Sequence, residues 1–414
     1  MKKITLENKL DLYVNKSDKF KTWSASVHIY RPLNVKEASC NALLAKVLKS
    51  STGKYPSRRL LARQLDTLYG THISTGVRKN ADTHTLIFNI KAVCDCYLPE
   101  KIAPAVIELL KEIITEPDVI DCAFKPEIVE LEKTNLKKQI EAYINDKSSY
   151  ADRRCVEVLC ENNNYATDVN GSLEEIDKIT PESLYRHYCE VLENSKIDVF
   201  LCGNEDEELV VKSFETLKSN GKVPVSQPIQ AISEFKEVTE VMDVTQGKLV
   251  MGFTTGYHQN NHRCALMVFN AVFGGSPTSK LFNNVREKLS LAYYANSRIS
   301  VSKGILFARS GIEISKFEQV REEINTQLEE ICSGNVTDEE MENAKSHLVN
   351  IYSSLDDDPE TTVSLISGWI TEGETRSVEE IIEGIKSVGI DEVVEVAKSY
   401  RPGAVYFLKG EQKQ

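Results

Sequence analysis

An arginine and a tyrosine lie seven residues apart in a segment that reads as a short helix followed by a strand. The segment is FGGSPTSKLFNNVREKLSLAYYANSRISV, and the two residues are Arg286 and Tyr293. Guanidinium and phenol groups both donate hydrogen bonds, and both suit a peptide carbonyl as acceptor. Across a helix-to-strand turn the two side chains can converge on one spot. Spacing alone favours the plainer interpretation, a surface arginine and a core tyrosine.

The same segment opens with two adjacent glycines, Gly274 and Gly275. Glycines at the end of a helix let another part of the backbone approach closely. Two interpretations stay open for this pair. The glycines either line a chamber in which a peptide binds, or they form a tight structural turn.

Histidine spacing gives little support for a metal site. His258 and His262 are the only two of the seven histidines that lie four residues apart, a spacing that can place two ligands on one helix face. No glutamate lies between them, and their segment reads as a polar loop entering a helix. The chain also has no HExxH motif, no GxSxG motif and no phosphate-binding glycine loop.

The helices and strands that must position these residues belong to a pattern that occurs twice along the chain. The segments that begin at Ser172 and Ser377 each open with a capping box, pass through a second helix and finish in an apolar strand. A further capping box, at Thr337, opens a helix in the second half. Each half also starts with a strand, WSASVHIY or KLVMGFTTG, and carries a long amphipathic helix.

This repetition predicts an α+β fold with two homologous domains of about 200 residues, each a mainly antiparallel sheet packed with helices. The segment NGKVPVSQPIQ, rich in glycine and proline, reads as the linker. We therefore predict an N-terminal domain at 1–220 and a C-terminal domain at 221–414.

Composition narrows the functional classes. The formal net charge is −12 and no long basic stripe is present, so we expect no nucleic-acid partner. No run is apolar enough for a membrane span or a signal peptide, so we expect a cytoplasmic protein without a membrane partner. The ten cysteines are scattered, which favours reduced thiols.

The segment with the arginine and tyrosine closely resembles the C-terminal-domain signature of the insulinase/pitrilysin-type metallopeptidases, which include the mitochondrial processing peptidases. That signature is Gly-Gly, then Ser-x-Leu-Phe, then Arg-Glu-x-x-x-Leu-Ala-Tyr. The matching residues here are Gly274, Gly275, Ser279, Leu281, Phe282, Arg286, Glu287, Leu291, Ala292 and Tyr293. The resemblance implies the family's two-domain fold over nearly the whole chain. It also implies that Arg286 and Tyr293 hold the substrate backbone near a metal.

The family's zinc motif, His-x-x-Glu-His, should lie on a helix of the N-terminal half. Here the helix before the turn KYPS has an apolar face of leucines and valine but no zinc ligand. Under the resemblance, Ala42 and Lys46 replace the two histidines, Ala45 replaces the general base, and Gln139 replaces the glutamate ligand on a later helix. Alanine offers no lone pair, and a protonated lysine only donates.

The resemblance therefore implies a non-zinc subunit, since some family members pair a zinc chain with a chain that supplies the arginine and tyrosine. We expect no cofactor in this chain, zinc in a homologous partner chain, and a peptide or unfolded polypeptide as substrate. This chain resembles a bacterial group of the family whose zinc motif is eroded. Two alternatives stay open. One is an active zinc peptidase with a non-standard site, and the other is a non-enzymatic homodimeric clamp.

Overall fold

The computed structural model describes residues 1–229, 234–257 and 262–411. These residues form two compact units, each built on one large β-sheet. Unit 1 comprises Met1–Glu141, Thr167–Val225 and Pro359–Thr371, and unit 2 comprises Ala142–Ala166, Ser226–Asp358 and Glu372–Gln414. The predicted α+β fold, with a mainly antiparallel sheet in each half, is confirmed.

Unit 1 contains a sheet in which a long central strand is flanked by antiparallel neighbours. Its strands are β1 (Lys2–Thr5), β2 (Asp11–Lys16), β3 (Thr22–Pro32), β4 (His72–Asn80), β5 (Thr83–Val93) and β8 (Lys196–Gly203), and β6 (Val119–Ile120) pairs separately with β7 (Ala123–Phe124). The order is β1-β2-β8-β3-β5-β4, and only β2 and β8 run parallel among the described pairs.

Unit 2 has a five-stranded sheet. Its strands are β9 (Lys236–Val241), β10 (Gly247–Thr254), β11 (Ala292–Ser300), β12 (Ile305–Ile312) and β13 (Arg401–Lys409). The order is β11-β12-β10-β13-β9, so β11 lies at one edge. Strands β9 and β13 are parallel, and the other pairs are antiparallel.

Helices pack against both sheets. They are α1 (Val35–Leu48), α2 (Arg58–Thr67), α3 (Ala103–Thr115), α4 (Pro126–Ala142), α5 (Lys147–Leu159), α6 (Leu173–Lys178), α7 (Pro181–Asn194), α8 (Glu207–Phe214), α9 (Arg263–Asn270), α10 (Phe317–Cys332), α11 (Asp338–Ser353), α12 (Pro359–Glu372), α13 (Val378–Ser387) and α14 (Ile390–Ser399). Two π-helices, Ala271–Gly275 and Leu281–Lys288, follow α9. No helix in the described part of the chain is long and apolar enough to cross a bilayer.

Alternating side chains of β3 build the main core of unit 1. Trp23, Ala25, Val27 and Ile29 are buried in one cluster with the apolar residues of α1 and α3. A strand places successive side chains on opposite faces, so the period-two pattern in the sequence already assigned these residues to one face.

The second face of each sheet is covered by a helix from the other half of the sequence. Val363 of α12 packs on Phe200 and Cys202 of β8, within unit 1. Cys155 of α5 packs in a cluster with Val250 of β10, within unit 2. Each compact unit thus combines segments that are not contiguous in the sequence. The predicted division into domains 1–220 and 221–414 refers to continuous stretches of the sequence and stays a prediction.

Helix starts follow the predicted capping chemistry, with one difference. The boxes at Thr337 and Ser377 are complete, with the side chain and backbone bonds both present. At Ser172 the hydroxyl accepts from the backbone N–H of Glu175 at 3.2 Å. The carboxylate of Glu175 instead accepts from Lys178 Nζ at 2.7 Å, so this box is only half formed.

Candidate functional site

Helix α1 carries three of the four positions that the resemblance assigned to the metal site. The helix starts where Asn34 Oδ1 accepts from the backbone N–H of Glu37 at 2.8 Å. Ala42 and Ala45 are 2% and 0% exposed and belong to the apolar core of unit 1. At these two positions the helix therefore presents methyl groups to other apolar side chains.

Lys46 lies on the remaining side of α1 and faces a cavity of about 420 Å³. The cavity is lined by Lys46, Lys49, Ser50, Arg58, Leu61, Ala62, Leu65, Ile73, Thr75 and Glu132. The pKa of Lys46 is lowered from its usual value by burial, and further by the positive charges of Lys49 and Arg58. At the position that the resemblance assigns to a histidine, the chain thus presents a lysine amine to the cavity.

Glu132 supplies the one carboxylate among the described residues that line this cavity, and it already has hydrogen-bond and ion-pair partners within the chain. Glu132 of α4 is buried, accepts from Ser50 Oγ at 2.6 Å and forms an ion pair with Arg58. Asn135 Nδ2 donates to its second oxygen at 3.1 Å. Charge-assisted bonds of this kind hold a carboxylate firmly, so Glu132 fastens α4 to the end of α1 and the start of α2.

Gln139, the position assigned to the later-helix ligand, lies two turns beyond Glu132 on α4. Its side chain is exposed, and it is not among the residues that line the cavity. Glu132, which the sequence analysis did not single out, lines the Lys46 cavity instead, and the assignment of Gln139 to a metal-site position stays a prediction.

The residues at the family's metal positions do not fit zinc. Two are alanines in a packed core, and the third is a lysine that already lies near Lys49 and Arg58. Zinc needs three or four nitrogen, sulfur or oxygen ligands. Within residues 1–229, 234–257 and 262–411, no group of three or more histidine, cysteine, aspartate or glutamate side chains is placed to hold a metal. His258 lies outside the described residues, so the predicted spacing of His258 and His262 on one helix face stays untested.

Behind the two alanines is a buried polar network that sequence reasoning missed. Asn41 Nδ2 donates to His84 Nδ1 at 3.0 Å, and His187 Nε2 donates to Asn41 Oδ1 at 2.8 Å. His84 Nε2 also donates to the carbonyl of Val169 at 2.9 Å. Burial lowers the pKa of His84 to about 4 and that of His187 below its usual value, so both imidazoles are neutral. The sequence signal was one asparagine inside an apolar helix.

The second π-helix presents Arg286 in unit 2. Its side chain is 43% exposed, and its Nε lies 3.5 Å from Glu287 Oε1. The guanidinium carbon is 4.8 Å from the ring centroid of Phe282, one turn earlier, which orients the planar group by stacking. Its terminal nitrogens have no hydrogen-bond acceptor among the described side chains and backbone groups.

Tyr293 lies in a β-bulge on edge strand β11. The pairing with β12 passes from Ala292–Ile312 directly to Tyr294–Gly311, so Tyr293 is the extra residue. A bulge re-aims the side chain it contains. Tyr293 is 61% exposed, in contrast to the core tyrosine that spacing alone favoured.

Gly274 and Gly275 lie at the end of the first π-helix, where the chain packs tightly. A Cβ atom at Gly274 would lie 2.7 Å from the backbone nitrogen of Ser297 on β11. At Gly275 it would lie 2.9 Å from the carbonyl oxygen of Asn270. Both contacts are too short for any side chain, so the structure gives this pair a packing role, whatever else it does.

Comparison with known proteins places the chain among peptidase homologues. A family model described as "Peptidase M16 inactive domain" matches residues 178–348. The "Probable inactive metalloprotease YmfF" of Bacillus subtilis (strain 168) is 32% identical over 414 aligned residues, which cover 97% of this chain and 96% of the relative. The chain belongs to the M16 peptidase family. The resemblance that the arginine and tyrosine segment indicated is thus confirmed.

Two solved structures share the fold of this chain. "Crystal structure of a conserved protein from Enterococcus faecalis V583" has a TM-score of 0.88 at 30% identity, covering 100% of this chain and 99% of that one. A "peptidase M16 inactive domain from Pseudomonas fluorescens" has a TM-score of 0.79 with the same coverages, and its 13% identity supports the fold alone.

The roles of individual residues in this M16-family chain stay predictions. These are the correspondence of Ala42, Ala45, Lys46 and Gln139 to metal-site positions and the role of Gly274, Gly275, Arg286 and Tyr293 in substrate binding.

Proposed function

We propose that this M16-family chain is a catalytically inactive, non-zinc subunit that pairs with a zinc-bearing homologous chain. The main support is the chemistry of three residues on α1. Ala42 and Ala45 are core residues without a ligand atom, and Lys46 faces a cavity, at the positions where the resemblance expects zinc ligands or the general base. A relative that matches over nearly its full length is named a probable inactive metalloprotease, which supports the same conclusion.

In this proposal Arg286 and Tyr293 hold the substrate. Both side chains are exposed, and both keep hydrogen-bond donors that no described residue of the chain occupies. Two donors on one peptide carbonyl fix its direction as well as its position, and such orientation is a large part of many rate enhancements. The partner's zinc would supply the hydrolytic chemistry, and this chain would supply binding and alignment.

The proposed compartment is the cytoplasm. All ten cysteines of the chain are free, which suits a reducing environment, where disulfides are rare.

The test uses the full chain mixed with a zinc-bearing M16 homologue from the same organism. Sedimentation measures complex formation, and a fluorogenic peptide measures kcat/KM per complex. Arg286→Ala should lower kcat/KM roughly tenfold to a hundredfold, the range expected for one charged hydrogen bond, without weakening assembly. Tyr293→Phe, which removes only the hydroxyl, should lower it less.

Lys288→Ala is the matched control, because Lys288 is exposed on the same π-helix. It should leave kcat/KM unchanged. The proposal fails if no heterodimer forms, or if Arg286→Ala cleaves as fast per complex as the native chain. A chain that sediments only with itself and cleaves nothing would favour the homodimeric clamp.

A further inference from the structure

The cavity beside Lys46 contains more positive than negative charge. Lys46, Lys49 and Arg58 line it, and Glu132 is the one carboxylate among the described lining residues. Arg58 and Glu132 form an ion pair with each other, so their charges cancel. The two lysines are left as a surplus of positive charge in one concave site.

Nothing in the described ranges neutralises that surplus. Neither lysine ammonium has an ion-pair partner among residues 1–229, 234–257 and 262–411. The last turn of α1 ends beside Lys46 and Lys49, but the carbonyl end of a helix carries only about half an elementary charge. Glu132 is already committed to Ser50 and Arg58. Both ammonium groups therefore keep donors that an anion in the cavity can occupy.

The opposite wall of the cavity is apolar. Leu61 and Leu65 lie one turn apart on α2, and Ile73 follows on strand β4. Leu61 and Ile73 are only 4% and 3% exposed, so they form the floor of the cavity, whereas Leu65 is half-buried at its side. The site thus combines two cations with an aliphatic surface.

We propose that this cavity binds a carboxylate attached to an apolar body, as at the C-terminal residue of a peptide that ends in an aliphatic side chain. The carboxylate would accept from Lys46 and Lys49, and the side chain would lie on Leu61, Leu65 and Ile73. The volume of about 420 Å³ is within the range of small-ligand pockets. The site belongs to this chain alone and does not depend on a zinc-bearing partner.

Calorimetric titration of the full chain tests the proposal with three peptides. The first is acetyl-Ala-Ala-Ala-Leu with a free C-terminus, the second is the same peptide with a C-terminal amide, and the third is the amide of acetyl-Ala-Glu-Ala-Leu. We expect the first to bind and the second not to bind. Binding by the third peptide would show that the two lysines also accept the carboxylate of an acidic side chain.

Variants locate the site. Lys46→Met keeps an unbranched side chain of similar length but removes its charge, and it should weaken binding of the free-acid peptide roughly tenfold or more, the range expected when a charged hydrogen bond is lost. Lys46→Arg should retain binding. Lys36→Met, on an exposed position of the same helix, should have no effect. Equal binding by the free acid and its amide, or no effect of Lys46→Met, would overturn the proposal.

A second measurement needs no variant and covers the case in which Lys46→Met does not fold. Acetylation of lysines on the native chain, read by mass spectrometry, should be slowed at Lys46 by the free-acid peptide and unchanged at Lys36. Equal acetylation of Lys46 with and without saturating peptide would also overturn the proposal.

Discussion

His28 Nδ1 lies 2.8 Å from the hydroxyl of Ser367, although the two residues are 339 positions apart in the chain. His28 is on the central strand β3 and Ser367 is on α12, and both belong to unit 1. The imidazole is 2% exposed. Burial and the nearby positive charge of Arg78 lower its pKa to about 3. The fold therefore holds a neutral histidine under α12.

This histidine should make the chain sensitive to acid. Its folded pKa of about 3 is below the ordinary 6.5, so the unfolded chain takes up a proton there first as pH falls. Its contribution is fully present above about pH 6.5 and is lost progressively toward pH 3. At pH 4.5 the loss should be on the order of 2 to 3 kcal/mol.

Urea unfolding at pH 7 and pH 4.5 measures this effect. His28→Gln removes the titration, so its stability should fall less between the two pH values than that of the native chain. Taking the difference between variant and native chain cancels titrating groups that are distant from His28, but not Asp198, which lies opposite His28 on β8. His72→Gln, at an exposed position on β4, should follow the native chain. An unchanged acid dependence in His28→Gln would contradict the assignment.

Asn41→Ala should destabilise unit 1 without touching any proposed binding residue. The substitution leaves His84 Nδ1 and His187 Nε2 buried without their amide partner. Each unsatisfied buried group costs about 1 to 3 kcal/mol, so we expect a loss of about 2 to 5 kcal/mol. Urea unfolding at neutral pH measures it, with Asn162→Ala at an exposed turn as control. A loss below 1 kcal/mol would mean that the network does not hold α1 in place.

Gly274→Ala should also destabilise the chain, because the added methyl group would meet Ser297 of β11. Its Cβ would lie 2.6 Å from Ser297 Oγ and 2.7 Å from Ser297 N. Overpacking of this kind costs about 1 to 3 kcal/mol. Gly76→Ala is the matched control, because nothing lies within 4 Å of a Cβ at that position. Equal melting temperatures for the two variants would argue against a packing role for Gly274.

Zinc content separates an inactive subunit from an active peptidase with a non-standard site. After dialysis against a weak chelator, the purified chain should hold less than about a tenth of an equivalent of zinc, since Ala42 and Ala45 have no ligand atom. A zinc-bearing M16 homologue, dialysed in parallel, should keep about one equivalent. Near-stoichiometric zinc in this chain would instead direct attention to His258 and His262.

The sequence by itself determined the features that depend on local pattern. Alternation along β3 assigned Trp23 and Val27 to the core face, and capping residues marked helix starts at Thr337 and Ser377. The signature from Gly274 to Tyr293, with its paired glycines and Ser-x-Leu-Phe, indicated the family. Each of these signals lies within about thirty residues, so one stretch of chain is enough to read it.

Tertiary structure decided which side chains share a site. It placed Glu132 rather than Gln139 at the Lys46 cavity, put Tyr293 in an exposed bulge, and joined Asn41 to His84 and His187. It also laid α12 on the sheet of unit 1. These outcomes depend on which faces of distant segments meet when apolar surface is buried. Local propensity does not encode that choice, because burial is a property of the packed chain and not of any one segment.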